Sequence, residues 1–264
     1  LFLALGFLFL SELIRAATGK THWKHFLISS GVLGLALILG VGMNSQRLLA
    51  NSEYVKETIR GKQILKSEHN SKDDDGMKKQ EILNWSYGKL ETLNLFIPRL
   101  LGGSSTEEVS DDFKKELRAS LESQTDDEEQ IQAVFDQVAN GVPMYWGDQP
   151  GTSGPAYQGA IVVFLAILGF FFAWKKYRYW ILGASILTIL LAWGSNFLPL
   201  SDLFIDYVPL YNKFRAPSSI LVVVELLFPL IAIIGLYRFY NDEKLTEEYK
   251  QKILLYVGGS VLGI

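Results

Sequence analysis

The chain has 264 residues, a net charge of −3 and an apolar fraction of 49%, enough for a sizeable core in one or two domains. It contains no cysteine, which excludes a disulfide framework and a thiolate metal site. The apolar residues gather in long runs, whereas Asn51 to Asn140 holds most of the acidic residues. That segregation is what a membrane protein with one large polar loop looks like, and it argues against a soluble enzyme.

Crossing a hydrocarbon core of about 30 Å takes about 20 apolar residues. Four stretches approach that length: Leu1 to Ala17, Phe26 to Met43, Ala156 to Trp174 and Trp180 to Leu198. A fifth, Ser218 to Tyr237, includes Glu225 and Pro229, and a sixth starts near Ile253. None has the charged opposite face of a soluble surface helix. The expectation is therefore an all-α polytopic protein with about five transmembrane helices and a truncated sixth. It divides into residues 1–43 with two spans, 44–155 as an extracytoplasmic loop domain, and 156–264 with the remaining spans. The chain opens at Leu1 inside an apolar run and closes at Ile264 inside another, so it is expected to be an interior piece of a longer protein.

Lysines and arginines orient the spans. Arg15, Lys20 and Lys24 follow the first. Lys175, Lys176 and Arg178 separate the third from the fourth. Arg238, Lys244, Lys250 and Lys252 follow the fifth. These three short loops should share the cytoplasmic face of the cell membrane, which leaves 44–155 and 199–217 extracytoplasmic. Trp23, Trp174, Tyr177, Tyr179, Trp180, Tyr237 and Tyr240 read as interfacial anchors at that boundary. Gly31, Gly34, Ala36, Gly40 and Gly42 would allow close helix packing in the second span. His22 and His25 suit a polar membrane boundary, and with His69 they show no metal-ligand spacing.

In the long loop, Ser52 to Gln63 reads as a short helix leaving the membrane, and Lys66 to Lys79 as a flexible excursion. Apolar and aromatic residues return in Trp85 to Leu101, which would lie along the interface or pack on the membrane domain. Gly102-Gly103-Ser104-Ser105 breaks the chain. Ser110 to Ala139 has the spacing of one or two exposed amphipathic helices, with Phe113, Leu117 and Leu121 on one face and Ile131, Val134, Phe135 and Val138 on another. Tyr145 to Gly159 is dense in Gly, Pro and aromatics, and reads either as an ordered binding loop or as a rigid turn feeding a helix.

Chemistry is sparse. Lys213 and Arg215 precede a helix starting near Pro217-Ser218-Ser219, whose free N–H groups would make an anion site for a phosphate; binding of lipid headgroups is the plainer alternative. Glu225, about two turns into the fifth span, marks either function or a buried polar pair. Glu12 pairs locally with Arg15. Asp148 and Glu91, both in aromatic surroundings, could act as a general base toward a sugar hydroxyl or hold a divalent cation. Trp85, Tyr87, Tyr145 and Trp146 could stack on sugar faces. There is no zinc motif, nucleotide-type glycine loop, Ser-His-Asp pattern or basic nucleic-acid patch.

Three segments, Tyr87 to Pro98 (YGKLETLNLFIP), Tyr145 to Pro150 (YWGDQP) and Tyr211 to Ser218 (YNKFRAPS), resemble the bacterial YfhO family of membrane proteins, in the style of its long Bacteroidetes members. The resemblance implies a helical protein of the GT-C glycosyltransferase type. Such a protein takes a sugar from a polyprenyl-phosphate carrier and passes it to a cell-envelope glycopolymer or glycolipid on the extracytoplasmic face. It casts Arg215 and Lys213 as donor-phosphate partners, and Trp85, Tyr87, Tyr145, Trp146, Gln149 and Asn212 as sugar or acceptor contacts, with Asp148 or Glu91 as candidate bases. GT-C enzymes usually carry the catalytic acid in their first extracytoplasmic loop, which this chain is expected to begin after. A lipid-linked-glycan flippase and a non-catalytic envelope scaffold are the rival expectations.

Overall fold

The computed structural model describes residues 2–61, 76–125, 127–139 and 141–262. His69, and the part of the expected excursion from Lys66 to Asp75, lie outside the described residues. Among the described residues every regular element is helical, and extended pairing is limited to two isolated bridges, Gly102 with Tyr145 and Glu107 with Val142. In chain order the helices are α1 (Phe2–Ala17), α2 (Trp23–Met43), α3 (Ser45–Lys56), α4 (Lys79–Ile82), α5 (Asp111–Glu122), α6 (Glu128–Ala139), α7 (Ala160–Phe172), α8 (Lys175–Ala192), α9 (Leu198–Tyr207), α10 (Val222–Asn241) and α11 (Glu247–Leu262). The chain forms two compact units: residues 1–86 with 161–264, and residues 87–160. Residues 44–61 and 76–86 therefore belong with the apolar helices, not with the rest of the long loop.

Two helices are long and apolar enough to cross a membrane, Trp23–Met43 and Pro217–Asn241, the latter including the 3₁₀ turn that leads into α10. A third counts if Lys175–Ala192 and Gly194–Tyr207 are taken together across their 113° bend. This suits a membrane protein, but the five or six spans expected from composition are not confirmed. The expected fourth span, Trp180 to Leu198, is broken. Helix α8 stops at Ala192, and Gly194 takes a positive φ of 47° that a side chain would resist. A 3₁₀ turn then redirects the chain into α9, where Pro199 fills a first-turn position that needs no N–H. Helix α7 has only 13 residues, about 20 Å of rise. The expected helix from Ser52 in fact starts at Ser45 and ends at Lys56.

Two arginines explain where α7 ends. The last carbonyls of a helix have no partner within it. Arg178 of α8 donates to the carbonyls of Phe170 (3.1 Å) and Phe171 (3.2 Å), and Arg238 of α10 to those of Phe172 (2.9 Å) and Ala173 (3.3 Å). Arg238 also holds Asp242 at 2.7 Å and lies over the Trp174 ring at 5.7 Å. The two arginines thus tie three helices together.

Helices α7 and α10 touch through glycine. A methyl group at Gly169 would strike the backbone of Ile231, and one at Gly235 would strike Gly169 itself. Ala166, Ile181, Ala184, Leu227 and Ile231 fill the core alongside. In α2, by contrast, Gly31, Gly34, Gly40 and Gly42 have nothing within 4 Å of a built Cβ, so the close packing expected there lies at α7–α10 instead. The rest of α2 is almost wholly exposed, including Leu27, Ile28, Val32, Leu35, Ile38, Leu39 and Val41. Leaving these in water would forgo roughly 6–13 kcal/mol of transfer energy, comparable to a whole domain's stability of about 5–15 kcal/mol. An apolar surrounding accounts for that surface.

The same substitution at two glycines should separate these cases. Gly235→Ala forces α7 and α10 apart and should cost about 1–3 kcal/mol, read as a lowered melting temperature in detergent. Gly34→Ala should change it little or raise it.

Candidate functional site

In the unit of residues 87–160, the 3₁₀ helix Leu90–Leu95 turns Glu91 and Asn94 inward. Both are fully buried, as is Tyr87 beside them. The Gly88 N–H donates to Glu91 Oε2 at 2.5 Å, and the Tyr145 hydroxyl donates to Glu91 Oε1. That hydroxyl in turn accepts the Gln149 N–H at 3.1 Å. Asn94 Oδ1 accepts from Leu101 N–H at 3.3 Å, while its Nδ2 has no partner among the described residues. A buried carboxylate is costly unless hydrogen-bonded, and these donors answer Glu91 at both oxygens.

Two glycines make the arrangement possible. A methyl group on Gly147 would collide with both the Tyr145 hydroxyl and Glu91. One on Gly88 would lie 2.9 Å from Asp148 Oδ2 and 3.0 Å from Glu91 Oε2. The two carboxylates thus both lie close to Gly88, Glu91 buried and Asp148 exposed. Trp146 beside them presents 69% of its surface. Burial, reinforced by Glu91, pushes the Tyr145 hydroxyl above its ordinary value of 10, so it stays a donor at any physiological pH.

The loop that carries these residues is ordered by the backbone. Gly103 N–H donates to Met144 O at 2.8 Å, Trp146 N–H to Leu101 O at 3.0 Å and Ser105 N–H to Thr152 O at 2.8 Å, while Arg99 grips Glu107 at 2.8 and 2.7 Å. Residues 145–159 form an irregular segment that leads into α7 at Ala160. The expected amphipathic stretch forms α5 and α6, capped by Ser110 and Asp127 and joined by the Arg118–Glu128 ion pair.

The second cluster lies in the helical unit. Arg215 is exposed and lies over the Trp85 ring at 5.3 Å. It edges a cavity of about 320 Å³ with Ile82, Phe214, Pro217, Ile220 and Val223. Ala216 holds a left-handed conformation, φ 64°, directly before a proline, which is a strained position for a residue with a side chain. The expected free N–H groups are not there. Ser218 N–H donates to Trp85 O at 3.1 Å and Ser219 N–H to Ala216 O at 3.1 Å, in a 3₁₀ turn of five residues. Lys213 reaches back to the Arg60 carbonyl at 2.8 Å, and the Asn212 carbonyl accepts Met77 N–H at 3.1 Å. These two hold the segments around Gly61 and Gly76 in place.

The sequence-predicted residues thus divide. Glu91, Asp148, Tyr145, Trp146, Gln149 and Tyr87 come together in one unit; Arg215 and Trp85 meet in the other, where Lys213 and Asn212 bind backbone. Glu225 lies on the exposed face of α10 and lines none of the cavities described here. No group of three or more His, Cys, Asp or Glu side chains that could hold a metal ion occurs among the described residues. Gly88, Gly147 and Asn94 were missed by residue-type reasoning. The density of glycine around aromatics was the available signal for the first two; Asn94 gave none. No family model, curated protein or solved structure matches the chain.

Tyr145→Phe leaves Glu91 buried with the Gly88 N–H alone. It should cost about 1–3 kcal/mol, seen as faster hydrogen exchange across 87–101. Because the hydroxyl's folded value is raised, its stabilisation is complete below about pH 10 and falls as pH climbs beyond. Wild type should therefore lose protection in that alkaline range, and Tyr145→Phe should not show that loss.

Proposed function

We propose that this chain belongs to a polytopic glycosyltransferase of the GT-C type, related to the YfhO proteins its three segments resemble. It would move a sugar from a polyprenyl-phosphate carrier onto a cell-envelope acceptor at the extracytoplasmic face. The observation that carries the reading is the paired-carboxylate corner: exposed Asp148 beside buried, doubly hydrogen-bonded Glu91, next to an exposed tryptophan. Sugar chemistry uses such groups, with an aromatic face for the ring and a carboxylate for a hydroxyl proton.

In this reading Asp148, the accessible carboxylate, takes the proton of the acceptor hydroxyl as its oxygen attacks the anomeric carbon. The bond from that carbon to the carrier phosphate breaks, and the phosphate leaves with the electron pair. Arg215, in the helical unit, is a separate phosphate-binding candidate, because its planar fork fits phosphate oxygens and stacking on Trp85 holds it in place. Glu91 and Tyr145 are positioning residues: they fix the loop that presents Asp148 and Trp146. Lys213, engaged with Arg60 O, has a structural task that Arg215 lacks.

The proposed topology puts the basic turns after α1, α7 and α10 on the cytoplasmic side and the compact unit outside. The lysines Lys20, Lys175, Lys176 and Lys244 carry that argument, since Arg178 and Arg238 also serve as helix caps.

Sugar transfer in membranes containing the protein tests the site. Asp148→Asn should lower kcat by about 10²–10⁴-fold, and Arg215→Ala should lower it more than Arg215→Lys does. Trp146→Ala should act mainly on KM. Full activity in both Asp148→Asn and Arg215→Ala would remove the assignment.

A further inference from the structure

A cavity of about 480 Å³ opens between the C-terminal half of α1 and the first turn of α8, within the usual size of small-molecule sites of about 300–1,000 Å³. Its walls are apolar, from Phe7, Leu10 and Trp180, and its rim is cationic, from Arg15, Lys20, Lys175 and Lys176. Only Arg15 has a carboxylate partner among the described residues, Glu12 at 3.2 Å. Lys20 and Lys175 form no ion pair among the described residues, and Lys176 rests 4.4 Å from the Tyr177 ring.

A further feature points to an anion. Helix α8 starts here with 18 residues, and its N-cap, Trp174, supplies no side-chain acceptor. The N–H groups of the first turn, Lys175 and Lys176, are thus left for an outside acceptor, at the positive end of the helix dipole. Trp180 in the wall is nine-tenths buried.

We infer that this cavity is a binding site for an anionic phospholipid, with the phosphate at the cationic rim and the start of an acyl chain along Phe7, Leu10 and Trp180. The walls and the rim make one amphipathic slot, and neither half suits a purely polar or a purely apolar occupant. A free phosphate would leave the apolar walls wet. A second copy of this chain would bring like charge against the rim. Basic pockets between membrane helices hold acidic headgroups by this combination. The site is distinct from Arg215, and it stands whether or not sugar transfer does.

Delipidated protein in a neutral detergent provides the test, with melting temperature read against added phosphatidylglycerol, phosphatidylcholine and inorganic phosphate. Phosphatidylglycerol should raise the melting temperature by several degrees at concentrations where phosphatidylcholine and phosphate do not. The Lys175→Gln/Lys176→Gln variant should bind phosphatidylglycerol about ten- to thirty-fold more weakly. Lys20→Gln, in an exposed turn outside the helices, should weaken it about five-fold, and covers the case in which the double variant is poorly folded. Equal shifts from both lipids would overturn the inference, as would a phosphate shift matching that of phosphatidylglycerol. So would an unchanged phosphatidylglycerol affinity in Lys20→Gln.

Discussion

The short helix α7 depends on guanidinium groups supplied by its neighbours. Its last carbonyls have no partner within the helix. Arg178 and Arg238 satisfy the carbonyls from Phe170 to Ala173, and in doing so set where α8 begins and where α10 ends. Further along, the glycine pair Gly169 and Gly235 lets α7 and α10 meet backbone to backbone. Between the arginine clamp at one end and the glycine crossing, the three helices have little freedom of register. The positions of Trp174, Lys175 and Lys176, and so the phospholipid slot, follow from that.

Much of the helical content could be read from the runs of apolar residues, because each backbone must satisfy itself when water is absent. The α5–α6 pair was legible from i, i+4 spacing. What the runs hid was length and direction. Trp180 to Leu198 reads as one apolar span, but Gly194 at positive φ and Pro199 beyond it turn the chain by 113°. Hydropathy has no term for a bend. Glycines in α2 looked like a packing face, whereas the glycines in contact are Gly169 and Gly235. Small residues permit an approach and do not require one, so spacing alone could not choose between them.

The candidate sites were half legible. Glu91, Asp148, Tyr145 and Trp146 were singled out by residue type and setting, and the fold of their unit brings them together. Their order of roles was not visible: burial makes Glu91 the anchor and exposure leaves Asp148 the accessible group. At the other cluster, Lys213 and Arg215 look equivalent in sequence, two residues apart. One is spent on a backbone carbonyl and the other stacks on an indole. Such differences depend on contacts across more than a hundred residues, which no local pattern records.

All of this rests on the helical unit lying in lipid with the two ends of α8–α9 on opposite sides. The absence of cysteine makes that claim directly measurable. Single cysteines at Lys176 and at exposed Tyr207 would be labelled in intact cells with a membrane-impermeant maleimide. The account predicts that Tyr207→Cys reacts from outside and that Lys176→Cys reacts only after permeabilisation. Labelling of both from the same side, or of neither because the chain is recovered without detergent in the aqueous fraction, would contradict it.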